Sequence, residues 1–370
     1  MIRNPMKKVA GIVSLIFLSS AFASEVIAER RFVYLSSGDE ITVFEADPSL
    51  GKLSPVQTVE GRGLIAVDDH QTYAYAIGPK ALRTFEIQPD GKLALLGEAE
   101  IEKGGGYLDV GPSGRFVATN DYGAGTATVW PIGEDGIASG EPCAHIQLEK
   151  KAHSSVFSPD GNFVLVPATG PNKVFQLKFD SQSGSVEPNT PPFASGPTGE
   201  GTAQQPRHLV FHPNGKIVYT TLERDKPGVG VWEWDDKTGT LKVVQNLVTL
   251  PDGFEGMITT ADLHLTPNAK YLYVSNRDLT DRKATSGESS IVGFEVDSDT
   301  GMLSMIGHFP CEHIPRSFAI DRAGEFVYVA GQMADKLGVY WIDQASGELE
   351  RVEQHATGKG PNWVVCVSKD

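Results

Sequence analysis

Sulfur is scarce in this chain. Only three of 370 residues are cysteine, Cys143, Cys311 and Cys366, an odd set with no C-x-x-C spacing. That argues against a thiolate zinc centre or a dithiol redox site, permits at most one disulfide, and makes small buried apolar side chains the expected role. Cations are scarce too, with 32 Lys and Arg against 47 Asp and Glu and a net charge of −15. So acidic a chain is a poor partner for nucleic acid or an anionic membrane, which both demand a basic face. There is no serine elbow, no zinc motif and no P-loop. GGGYLDVG (104–111) has the glycines of a phosphate loop without the Lys-Ser/Thr that should follow. No cofactor or metal is expected from these patterns. Helical periodicity sustained over three turns is missing outside the first residues.

Those first residues read as an address. Arg3, Lys7 and Lys8 precede the apolar run 9–23, which ends in small residues. A positive segment, a short hydrophobic segment and an A-x-A-like site make a signal peptide spanning 1–28, with cleavage after Ala23 or Ala28. The run is shorter than a membrane span needs. Removing residues 1–28 takes away Arg3, Lys7, Lys8 and Glu25 and leaves a charge of −17. The remainder, 29–370, is expected to be one exported domain, periplasmic or secreted, with no membrane insertion.

What is abundant is turn chemistry, 40 Gly and 23 Pro, and it repeats. One phrase is a turn followed by a strand: GPSGRFVATN (111–120), SPDGNFVLVP (158–167), HPNGKIVYTT (212–221), TPNAKYLYVS (266–275) and DRAGEFVYVA (321–330), with a degenerate copy at 68–77. A second is an acidic turn that closes with Gly and an apolar residue. It occurs seven times, at 46–53, 88–93, 134–137, 180–186, 235–241, 297–303 and 343–349. Between these lie short β-branched and aromatic runs, four in 206–249, lettered A to D. Four short strands per unit of roughly 40–55 residues, repeated, is the pattern of a β-propeller. Seven acidic turns predict seven blades. The chain enters on a B-type strand (32–37) and ends on an A-type strand, GPNWVVCV (360–367), so the C-terminal strand is expected to close the first blade and seal the ring.

The same register locates a candidate site. In a propeller the A strands line the central channel, and the start of A and the end of B meet at one face. Eight residues before each repeat Gly stand Gly63, Gly106, His153, Arg207, Ala261 and Arg316, with Asn362 in the last strand. Eight residues after it stand Gly38, Pro79, Tyr122, Thr169, Glu223, Arg277 and Gln332. One channel mouth is thus expected to gather His153, Arg207, Glu223, Arg277 and Arg316 from blades four to seven. Tyr122, Gln332 and Asn276, which adjoins Arg277, are expected to complete the substrate-binding wall. The competing structural roles are inter-blade ion pairs for the arginines and a mutual salt bridge for Glu223 and Arg277. His208, His212 and His264 lie further along A strands or at turns and are read as structural. A carboxylate, an imidazole and several arginines suit proton transfer beside an oxyanion.

The segments YLYVSNRD (271–278), AHSSVFSPDG (152–161), PRHLVFHPNGK (206–216), NDYGAGTATVWPIGEDG (120–136) and GPNWVVCV (360–367) resemble the propeller lactonase family. That family includes bacterial propeller-type 6-phosphogluconolactonases and the fungal carboxymuconate-lactonizing enzyme. The resemblance covers essentially all of the chain after the leader. It implies an all-β seven-bladed propeller that hydrolyses a sugar lactone, phosphorylated or not, to the open acid. The family's His, Arg, Glu and Arg fall on His153, Arg207, Glu223 and Arg277. By that resemblance Glu223 or His153 is the base for water, Arg207 and Arg277 hold the oxyanion and orient an anionic, sugar-derived substrate, and Arg316 is an accessory anion ligand. An export signal fits an unphosphorylated aldonolactone better than a cytosolic phosphorylated one. The insertions 278–290 and 193–205 are expected to shape the mouth. The rival readings are a non-catalytic exported propeller that binds a protein or glycan, with the His-Arg-Glu-Arg set dispersed, and a metal-dependent lactonase, for which the register shows no ligand cluster.

Overall fold

The computed structural model describes residue 1 and residues 29–369, apart from 62, 102–104, 139, 200 and 201. The expected leader falls on residues 2–28, outside that set. Among the described residues every regular element is a strand, and no helix is long and apolar enough to cross a membrane. Seven four-stranded antiparallel sheets follow one another along the chain, with one two-stranded hairpin (Thr198–Gly199 with Thr202–Ala203) between the fourth and fifth. The first blade is composite. Arg30–Ser37 pairs on one side with Glu40–Ala46 and on the other with the C-terminal strand Trp363–Lys369. The expected closure is therefore present, and Arg30–Ser37 has no bare edge.

The repeats build the ring through their turns. Glycine closes each of the seven acidic turns with φ between +66° and +78°, a conformation that a side chain makes costly. A Cβ at Gly91 would also lie 2.3 Å from the ring of Phe32 in the preceding blade, and one at Gly239 would lie 2.1 Å from Phe163. Each turn thus presses its backbone against a side chain near the start of the neighbouring B strand. Tyrosine hydroxyls fasten the same contact, with Tyr34 donating to Gly91 O at 2.7 Å and Tyr273 to Gly347 O at 2.8 Å. The apolar faces of adjacent sheets fill the space between them, as where Phe32, Tyr34, Val43 and Trp363 of the first blade pack on Ile65 and Phe85 of the second. The innermost strands, Leu64–Val67, Tyr107–Val110, Val156–Phe157, Pro206–Phe211, Ile258–Leu265, Pro315–Ile320 and Trp363–Lys369, surround the axis.

One departure recurs on three of these inner strands. The pairing register slips between Pro206 and Leu209, between Thr260 and Leu263, and between Pro315 and Ser317. Each bulge falls at the same repeat position, where Arg207, Ala261 and Arg316 stand. A bulge breaks the strict in–out alternation and re-aims side chains.

The cysteines correct the sequence reading. All three are free, and Cys143 is exposed rather than buried, because it precedes the outer edge strand Ala144–Gln147, while Cys311 and Cys366 are partly buried.

Candidate functional site

A cavity of about 940 Å³ opens at one mouth of the channel. Blades three and four supply Gly106, Tyr122 and His153, blade five Glu223 and Arg224, and blade six Arg277, Leu279, Arg282 and Thr285. Blade seven adds Ile314, Arg316, Gln332, Met333 and Asp335, and the turn before the closing strand adds Lys359 and Gly360. Six of the eight expected residues, His153, Glu223, Arg277, Arg316, Tyr122 and Gln332, therefore share this wall.

Arg207 lies below the wall rather than in it. It is 1% exposed, and its Nη1 donates to Ala261 O at 2.6 Å and to His208 Nε2 at 3.0 Å. Its Nε is buried without a partner. Asn276 is not part of the cavity. It is fully buried, donates to Thr249 O at 2.6 Å and accepts from the Thr249 hydroxyl at 2.9 Å. Neighbours on a strand face opposite ways, so a side chain next to Arg277 points into the blade instead.

Glu223 and Arg277 form the salt bridge that the sequence left open. Arg277 Nη2 lies 2.8 Å from Glu223 Oε1 and also donates to Thr260 O at 3.0 Å. Burial alone would raise the Glu223 carboxyl, but Arg207 and Arg277 outweigh it and hold the group below its ordinary value. Burial lowers all three guanidiniums, Arg277 to about 10, and the charge of Arg316 lowers both Arg207 and Arg277 further. Buried like charges with so few counter-charges are costly unless an anion joins them.

The imidazoles respond in the opposite sense to a carboxylate. Burial, then Arg207, pushes His153 well below its usual value and His208 down to about 3. The two rings meet edge to face at 5.1 Å, with Tyr122 on the outer side of His153 at 5.4 Å and Tyr107 beyond His208 at 5.0 Å. His153 Nδ1 is buried without a partner. Groups depressed in this way add stability above pH 6.5 that is lost as pH falls below it, because only the unfolded chain then takes the proton. Asp109, raised to about 7 by burial, contributes with the opposite sign over the same range. The direct measurement is an imidazole NMR titration, in which neither ring should gain a proton between pH 8 and pH 5. A midpoint near 6 to 7 for either would contradict this picture.

Several functional candidates escaped the sequence reading. Arg224, Arg282 and Lys359 add cations at the rim, with Arg282 and Lys359 exposed, and Asp262 and His208 lie beneath Arg207. Arg282 and Thr285 come from the insertion 278–290, as expected. The other insertion, 193–205, supplies no lining residue among those described. His212 has the structural role assigned to it, accepting Asn214 N at 3.1 Å. Among the described residues no three His, Cys, Asp or Glu side chains gather as a metal site.

Comparison with known proteins agrees in length and fold. A 6-phosphogluconolactonase from Serratia proteamaculans is 32% identical over 347 residues, covering 92% of this chain and all of that protein. A 6-phosphogluconolactonase from Yersinia pestis is 31% identical, with 90% and 97% covered. The periplasmic gluconolactonase of Pseudomonas aeruginosa superposes with a TM-score of 0.81 at 23% identity, covering 91% and 99%, a likeness of fold. The family model described as lactonase, 7-bladed beta-propeller matches residues 32–366, and the chain belongs to that family.

Proposed function

We propose that this lactonase-family protein hydrolyses an anionic sugar lactone to its open-chain acid. The observation that carries the proposal is the cavity's charge: Arg224, Arg277, Arg282, Arg316 and Lys359 face Glu223 and Asp335, in a chain whose net charge is −15. Cations concentrated against the global field make a local anion site. The gathering of His153, Glu223, Arg277 and Arg316 in one wall, with Arg207 beneath it, also supports hydrolysis over the dispersed set of a purely binding propeller.

His153 is the better base of the two that the sequence left open. Glu223 is engaged by Arg277 and held low, which makes it a weak proton acceptor. His153 is neutral; burial depresses it most, and Arg207 and Arg316, which depress it further, are offset once an anion binds and negative charge develops on the carbonyl oxygen. Its proton affinity therefore rises during the reaction, as general-base catalysis requires. Water loses a proton to His153 as its oxygen bonds to the carbonyl carbon. The ring C–O bond then breaks, and the leaving oxygen takes the proton back as a hydroxyl. Arg277 and Arg207 stabilise the oxyanion between these steps, and Glu223 orients Arg277.

The rim cations favour a negative group on the substrate in addition to the oxyanion that develops at its carbonyl. In a pH-stat assay, acid release is expected from 6-phosphogluconolactone and from gluconolactone, unaffected by chelator. Arg282→Ala should raise KM for the phosphorylated lactone about fivefold and leave the unphosphorylated one nearly unchanged, since exposed charge pairs are worth about 1 kcal/mol or less. No acid release from either lactone would reject the function, and loss on chelation would favour a metal route. The charged, then apolar, then small-residue order of 1–28 supports export, and the mature N-terminus by mass spectrometry tests it.

A further inference from the structure

We propose that the buried pair Asp262–His208 is a positioning unit that sets Arg207 for the reaction; this rests on the hydrolytic reading above. Arg207 and His208 are consecutive, yet the bulge at Pro206–Leu209 lets both side chains reach the centre of the ring. His208 Nδ1 lies 2.8 Å from Asp262 Oδ1, and His208 Nε2 lies 3.0 Å from Arg207 Nη1. A guanidinium has no acceptor, so Nε2 must accept and the ring proton must sit on Nδ1, donating to Asp262. The imidazole thus has one permitted tautomer and one orientation.

Asp262 is itself fixed. It is 4% exposed, its Oδ1 accepts Leu263 N at 3.1 Å, its backbone N donates to Ser275 Oγ at 2.9 Å, and its Oδ2 accepts Phe318 N at 3.4 Å. His264 Nε2 stands 3.4 Å from Oδ2. The rings of His153, Tyr107 and Trp363 hold His208 at centroid distances of 5.1, 5.0 and 6.0 Å.

The arrangement has a chemical consequence. The two hydrogen bonds from Arg207 Nη1 go to a carbonyl and an imidazole, so the Asp262 charge reaches the guanidinium through a neutral ring. Nε remains buried without a partner. Arg207 is held in place without being neutralised by direct contact, which preserves its charge for an oxyanion.

Two substitutions separate this role from packing. His208→Gln can place Oε1 where Nε2 stood and so keeps the acceptor for Arg207. His208→Asn can place its amide where Nδ1–H stood and so keeps the link to Asp262 alone. With both folded, His208→Gln should retain kcat within about threefold, whereas His208→Asn should lose about tenfold or more with KM changed less than threefold. A structural role would make kcat follow Tm in both. In the wild-type protein at pH 7, nitrogen-15 NMR should show Nδ1 protonated and Nε2 bare, a readout that survives if either variant fails to fold. Wild-type kcat in His208→Asn, equal losses in the two variants, or a proton on Nε2 would overturn the proposal. A wild-type protein inert toward every lactone defeats the hydrolytic reading and this one with it. An active wild type with an unaffected His208→Asn defeats this one alone.

Discussion

Arg277→Ala should lower kcat for lactone hydrolysis by about 10²-fold or more, with the fold retained. Arg277 is buried at the cavity wall, and its Nε has no partner in the protein. It therefore has donor capacity beyond Glu223 Oε1 and Thr260 O. Losing one oxyanion donor in other enzymes costs about 10²–10³ in kcat. Alanine removes the donor and also leaves the Glu223 carboxylate, 7% exposed, without its hydrogen-bonded cation. Arg277→Lys should recover only part of the rate, because a lysine restores the charge and not the planar fork. Glu223→Gln should cost a comparable factor by a different route, leaving Arg207, Arg277 and Arg316 with only Asp335 at the cavity and Asp262 beneath it to balance them. Steady-state kinetics on the folded variants decides the matter, with near-wild-type circular dichroism and Tm as the control for folding. Near-normal turnover in either variant would remove these residues from the site.

A large effect on stability is expected at Trp363. Trp363→Ala should lower the free energy of unfolding by about 3–5 kcal/mol, the range for deleting a large buried aromatic. The indole stands on the closing strand and donates to Ile65 O of the second blade at 2.7 Å. It also meets Tyr107 of the third blade edge to face at 5.5 Å and His208 of the fifth at 6.0 Å. One side chain therefore joins the seam of the ring to the aromatic stack under the site. Its removal leaves a cavity and a carbonyl without its donor. Urea unfolding of the variant measures the cost, and a loss below 1 kcal/mol would show that the seam is held by strand pairing alone. Because the stack supports His208, kcat should fall as well, although less than in Arg277→Ala.

The repeat register made most of the cavity's lining legible, although Arg207, which also falls on it, lies below the wall. His153, Glu223, Arg316, Tyr122 and Gln332 fall at the offset of eight from a repeat glycine, Arg277 at the same offset from Ala269 in the glycine's place, and all six line the cavity. Asn276 breaks that rule, standing one residue short of it, and period-two alternation turns it away to Thr249. Arg282 and Lys359 come from connecting segments that no repeat register reaches, and only the fold brings them to the rim. Arg224 follows a register position by one residue, where alternation alone would have turned it aside. Their signal was an unusual one for so acidic a chain, cations clustered beside predicted mouth segments.

The blade count, the strand order and the closed ring followed from sequence alone, because glycine at a left-handed turn and alternating β-branched runs are local constraints that repeat. The chemistry at the floor was decided by tertiary structure. Read as a regular strand, Pro206–Phe211 sends Arg207 and His208 to opposite faces, and His208 passes for a structural residue. The bulge brings both to the axis, and there Asp262 from the next blade meets them. A bulge depends on how two strands pair and on what lies across the channel. For that reason the residues that hold Arg207 became visible only when the ring was closed around them.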